Sequence, residues 1–201
     1  FYFPIIYLKI MTSQLISSET MNNVKGTWAK VGTMLIVAHV LSTYLQNNGE
    51  GLFNQAWIQA SLFTIIGFNT YEVIVSTMLQ IDVEGAELQA VIDDTLKVAT
   101  MMVVSTGLKG AMNGTNEFTD KWMKGSLYTL VGFAGYRLVT QKLVPEVDAA
   151  YSDAINTQVQ FATMMVISRL ISGEPFDGDY INSCLYTLIG FASYDLVVSK
   201  I

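Results

Sequence analysis

Long apolar runs alternate with short polar stretches along this chain. The runs, at about 27–45, 56–79, 94–112, 121–143, 157–172 and 179–199, are too long for ordinary strands and close to the length of a bilayer-crossing helix. The polar stretches between the members of each pair, "QNNGEG", "NGTNE" and "GEPFDGD", are rich in turn-forming residues. The pattern predicts an all-α fold of six transmembrane helices arranged as three helical hairpins.

The hairpins repeat one another. "SLFTIIGFNTYEVIV" (61–75), "SLYTLVGFAGYRLVT" (126–140) and "CLYTLIGFASYDLVV" (184–198) align without gaps, and F-x3-[WY] precedes each of them: Phe53/Trp57, Phe118/Trp122 and Phe176/Tyr180. The first segment of each pair aligns as well, "VGTMLIVAHVLS" (31–42) with "VATMMVVSTGLK" (98–109) and "FATMMVISRLIS" (161–172). A fixed repeat of this kind implies one supersecondary unit built three times. The units are expected at 22–80, 90–144 and 153–201, after an N-terminal aromatic segment at 1–21. The acidic stretches 80–94 and 145–153 are expected to be surface connectors or short interfacial helices.

Within the second segment of each unit, Thr64, Gly67 and Tyr71 fall on one helical face, as do Thr129, Gly132 and Tyr136, and Thr187, Gly190 and Tyr194. Small and hydroxyl-bearing residues in a stripe suit close helix packing in a bilayer: glycine lets backbones approach, and the hydroxyls are expected to find interhelical partners. Trp57, Trp122 and Tyr180 recur at one depth and read as an interfacial belt.

Composition reinforces the membrane reading. Hydrophobic residues make up 51% of the 201 residues and charged residues 14%, against about 25% charge in a typical soluble domain, and mean hydropathy is +0.40. A net charge of −6 argues against nucleic acid as a partner, because such binding depends on clustered Lys and Arg. An even number of spans puts both termini on one side, and the lysine distribution favours the cytosolic side.

The opening "FYFPIIYLKI" has Lys9 after its apolar run, opposite to a secretory signal, and is too short to cross a bilayer. It is expected to lie in the interface or against a neighbouring protein.

Candidate chemistry is sparse. His39 is the single histidine and Cys184 the single cysteine, and neither G-x-S-x-G, a Walker A loop nor G-x-G-x-x-G occurs. No enzyme activity, cofactor or metal is expected. The Met-Met pairs at 101–102 and 164–165 read as apolar packing, since the first unit has Met34-Leu35 there. One column stands apart: Glu72, Arg137 and Asp195 each follow the repeated tyrosine. Ionisable residues in a span are a functional-site hypothesis by default. Here they have three readings: charges reaching headgroup water, an ion-pair column between repeats, or a transport site.

The thrice-read [SC]-L-[FY]-T-x-[IV]-G-F-x-x-Y, with F-x3-[WY] ahead of it, resembles small multi-span membrane proteins encoded by large icosahedral DNA viruses of the chlorella-virus type. The resemblance spans residues 22–201. It implies a minor capsid protein seated in the inner membrane of the virion, tying that membrane to the capsid proteins of the outer shell. The alternatives are an accessory membrane subunit of an organellar energy-converting complex and a small transporter or channel.

Overall fold

A computed structural model describes residues 17–47, 49–78, 81, 83–144 and 148–201. The N-terminal aromatic segment therefore lies almost wholly outside the described residues. Every regular element among the described residues is helical. Six main helices run α1 (Ser18–Asn47), α2 (Gln55–Thr70), α3 (Ala86–Asn113), α4 (Asp120–Leu138), α5 (Ala149–Ser172) and α6 (Gly178–Leu196).

Helices α1, α3 and α5 begin well before the apolar runs at 27, 94 and 157. Residues 86–94 and 149–153, expected as connectors, are the first turns of α3 and α5. These turns carry exposed polar residues such as Glu87 and Asp153, and Asp94, which pairs with Arg137 of α4, so hydropathy alone underestimates the helix.

The starts of α2, α4 and α6 explain the F-x3-[WY] spacing. The residue after each phenylalanine is an N-cap: Asn54 accepts from the Trp57 N–H, Thr119 from Trp122 and Asp177 from Tyr180. Asn, Thr and Asp are interchangeable in this role because each supplies a short side-chain oxygen to an orphan N–H. The flanking rings close over the cap, with centroids 5.1 Å apart for Phe53 and Trp57, 4.9 Å for Phe118 and Trp122, and 5.9 Å for Phe176 and Tyr180. All three belt residues are half-buried. Two also hold a basic side chain at the first helix: His39 stacks on Trp57 at 4.4 Å, and the Arg169 guanidinium lies 4.3 Å from the Tyr180 ring centre.

At their other ends the copies diverge. Helices α4 and α6 both break at a valine, Val139 (φ −125°, ψ −64°) and Val197 (φ −121°, ψ −66°), and tighten into single 3-10 turns. Helix α2 continues instead through a π-helical turn, Tyr71–Val75, and a last turn, Ser76–Met78. A π turn widens the helix locally, and this one carries Glu72.

The hairpins close into a ring. The most extensive packing is between hairpins: α2 against α3, α4 against α5, and α6 back against α1. Each second helix thus packs chiefly on the first helix of the next unit, and the last unit returns to the first, giving a pseudo-threefold arrangement. Apolar side chains cover the outside. Ile58, Leu62 and Ile66 on α2, Met123, Leu127 and Val131 on α4, and Ile181, Leu185 and Ile189 on α6 occupy the same three columns one turn apart, each 41–58% exposed. Ile36, Val103 and Val166 repeat the pattern on the other three helices.

Three helical stretches, Ser18–Gln46, Gln55–Met78 and Gly178–Lys200, are long and apolar enough to cross a membrane. Helices α3 and α4 fall short because they carry Glu87, Asp93, Asp94, Lys97 and Lys109, and Asp120, Lys121, Lys124 and Arg137. Helix α5 falls short because its first half is polar.

Candidate functional site: an axial vestibule with a charged collar

The ring closes at its glycines. A Cβ built on Gly67 would lie 2.6 Å from the Met101 carbonyl oxygen and 2.7 Å from its Cα. Gly132 meets Met164 at 2.6 and 2.8 Å, and Gly190 meets Met34 at 2.6 and 2.9 Å. These are backbone-on-backbone contacts at three equivalent points, each between a second helix and the first helix of the next unit. Only glycine permits that approach. The threonines of the stripe behave otherwise. Thr64, Thr129 and Thr187 donate to the carbonyls of Ala60, Gly125 and Ser183 on their own helices rather than across the interface, a common solution for a hydroxyl inside a helix.

One turn beyond the glycines, Tyr71, Tyr136 and Tyr194 point inward. Tyr136 is 1% exposed and Tyr71 9%, and the Tyr136 hydroxyl donates to Asn156 Oδ1 at 3.3 Å. Each ring has a cation within 6 Å of its centre: Lys97 at 5.9 Å from Tyr71, Arg137 at 5.6 Å from Tyr136 and Lys30 at 5.9 Å from Tyr194. That is the range of a cation–π contact.

The structure does not bring Glu72, Arg137 and Asp195 onto one another. Each is instead held by residues on the first helices. Lys97 pairs with Glu72, and Lys30 pairs with Asp195 at 3.1 Å while donating to the Thr157 hydroxyl at 2.9 Å. In the third interface the charges are exchanged. Arg137 takes the acid's place and donates from Nε to Asp94 Oδ2 at 2.7 Å, and Gln160 donates to the same oxygen at 2.8 Å. Lys30, Lys97 and Gln160 form one repeat column, four residues before Met34, Met101 and Met164, and Thr27, Asp94 and Thr157 form another. The collar therefore balances three cations against three carboxylates with different residues at each interface. The Asp195 side chain is 6% exposed and that of Glu72 10%, so both acids are buried in the protein.

Sequence reasoning missed the partner columns. Their signal lay in the charge exchange itself: a lysine where the tyrosine-flanking residue of the preceding unit is acidic, and a glutamine where it is Arg137.

The collar rims a cavity of about 660 Å³ lined by all six helices. Phe68, Phe133 and Phe191, the repeated phenylalanines, line its inner end with Val31, Val98 and Phe161. Phe161 stacks on Phe191 at 4.0 Å and meets Phe133 edge-on at 5.4 Å. Toward the helix starts the lining turns polar, through Lys30, Lys97, Glu72 and Gln160 to Thr27, Asp94 and Asn23. The vestibule thus has an aromatic floor, a charged collar and a polar mouth.

Beyond the opposite end of the ring, Glu117 in the α3–α4 loop accepts hydrogen bonds from Lys109 at 2.9 Å and from the Thr115 hydroxyl at 2.8 Å. The bond from Lys109, then that from Thr115, holds the Glu117 carboxyl below its ordinary value. Among the described residues no group of histidine, cysteine and carboxylates is placed to hold a metal ion.

No family model matches the chain, and neither a curated protein nor a solved structure matches it.

Proposed function

We propose that this chain is an integral membrane protein in which all six helices cross the bilayer as a closed ring, and that it serves as a non-catalytic structural component of a larger assembly. The observation that carries the reading is the inside-out distribution of side chains. The same three columns of large apolar residues face outward on all three second helices, while the ionised side chains of α3 and α4 that lower their hydropathy are gathered in part into the inner collar. A charged residue facing a bundle interior and paired there is the usual way such residues are accommodated in a membrane. Helices α3, α4 and α5 can span on that basis although their average hydropathy is low.

Of the assemblies open to such a ring, the sequence resemblance points to an icosahedral virion, with the ring in its inner membrane and its polar loops meeting capsid proteins. The test is to isolate the chain by an epitope tag from the membrane that bears it and to identify what co-purifies. Capsid components in stoichiometric yield support the reading. Respiratory or photosynthetic subunits replace it with the accessory-subunit alternative.

A second reading, a small transporter or channel, is favoured by one observation, the vestibule on the ring axis. The aromatic floor stands against a continuous aqueous path. Ion flux through proteoliposomes, at a rate that scales with protein, would decide for this reading.

A further inference from the structure

We propose that the axial vestibule is a binding site for a small zwitterion with an apolar tail, the chemistry of a free apolar α-amino acid. The proposal goes beyond the structural role and does not depend on it, since the same ring can anchor an assembly and hold a ligand.

The cavity has the size of an ordinary ligand site, about 660 Å³ against roughly 300–1,000 Å³ for small-molecule pockets. Its lining joins an apolar floor to a wall in which charged and polar groups of both signs converge. The collar keeps unused bonding capacity of both signs. An ammonium has three N–H donors. Lys30 uses two, on Asp195 and Thr157, and Lys97 uses one, on Glu72. Three ammonium donors on two neighbouring first helices therefore remain for a carboxylate, without breaking either ion pair.

On α3 itself, one turn before Lys97, Asp94 accepts from both Arg137 of α4 and Gln160 of α5 through Oδ2 alone. Its Oδ1 has no partner among the described residues and can accept from an ammonium, with Asp93 beside it on the cavity wall. The charge exchange has a consequence here: it sets Asp94 one turn before Lys97 on α3, so an unpartnered carboxylate oxygen and free ammonium donors stand close together on the cavity wall. Below the collar, Phe68, Phe133, Phe161 and Phe191 offer an aromatic surface for an apolar tail.

The test uses the full chain in nanodiscs of phosphatidylglycerol, so that the bilayer itself supplies no zwitterionic headgroup. Calorimetric titration compares L-phenylalanine with 3-phenylpropanoate, which lacks the ammonium, and phenethylamine, which lacks the carboxylate. L-Phenylalanine is expected to bind, and each analogue to bind roughly tenfold more weakly or worse, as loss of a charged hydrogen bond implies. Gly26→Trp fills the mouth: Gly26 lines the cavity and a Cβ there meets nothing within 4 Å. It should abolish binding, while Gly125→Trp, on an exposed site away from the cavity, should not. Asn23→Trp, on the same rim, carries the same expectation if Gly26→Trp does not assemble. The proposal is overturned if L-phenylalanine does not bind at millimolar concentration, if the three ligands bind equally, or if filling the mouth leaves binding intact.

Discussion

Gly132→Ala is the smallest change that tests how the ring is held together. The new methyl carbon would sit 2.6 Å from the Met164 carbonyl oxygen and 2.8 Å from its Cα, whereas ordinary contact begins at 3.4 Å. Both obstacles are backbone, so no side chain can swing aside, and α4 and α5 must part by close to an ångström. Overpacking of this kind costs about 1–3 kcal/mol, and the upper end applies because nothing soft yields. Alanine returns about 1 kcal/mol through its better helix propensity. The net expectation is a loss of about 2 kcal/mol, or roughly 4–8 °C in melting temperature for a chain of this size. Gly32→Ala is the control: it lies in α1 with nothing within 4 Å of its Cβ, so only the propensity gain of about 1 kcal/mol remains and the melting temperature should rise. The assay is thermal unfolding followed by circular dichroism in one detergent at one protein-to-detergent ratio. The two substitutions must move stability in opposite directions. A Gly132→Ala protein as stable as the parent would refute the backbone contact as the closure of the ring.

The exchanged interface can be rebuilt. Arg137→Glu alone should cost about 2 kcal/mol, between the values for exposed and buried pairs, because Arg137 and Asp94 side chains are 26% and 24% exposed. Combining it with Asp94→Thr and Gln160→Lys copies the other two interfaces and should restore most of that loss; a triple variant no more stable than the single one, by the same melts, would sink the column account. Thr119→Ala removes the N-cap of α4 and should cost about 1 kcal/mol, whereas Thr119→Asn should be nearly neutral, as read by chemical unfolding. Glu117 titrates below its ordinary value of 4.5, so its pairing with Lys109 stabilises the loop above that value and the contribution disappears as pH falls through the lowered one. Carboxyl carbon NMR should show the Glu117 midpoint rising toward 4.5 in Lys109→Gln; an unmoved midpoint would mean the lysine is not its partner.

The one-dimensional pattern settled a good deal about this protein. Apolar runs marked six helices, because a helix long enough to hide its backbone in an apolar setting must present side chains that tolerate that setting. The closest packing, between hairpins rather than within them, was not legible. The repeated glycine column marked close contacts, since close approach depends on local chemistry that a sequence displays directly. The F-x3-[WY] column, read as an interfacial belt, proved to flank the N-caps of α2, α4 and α6. What the sequence did not display was partnership. The column Glu72, Arg137 and Asp195 had three readings open, and its partners, Lys97, Asp94 and Lys30, could not be named because they sit on other helices that only the closed ring brings alongside. The first turns of α3 and α5 read as connectors because their polar residues, Glu87 and Asp153 among them, stay exposed, while Asp94 is drawn into the collar only when the ring closes. Local bonding rules shape each hairpin, but the vestibule, its aromatic floor and the uneven placement of charge around its axis arise from cyclic closure, a property of three copies together and of none of them alone.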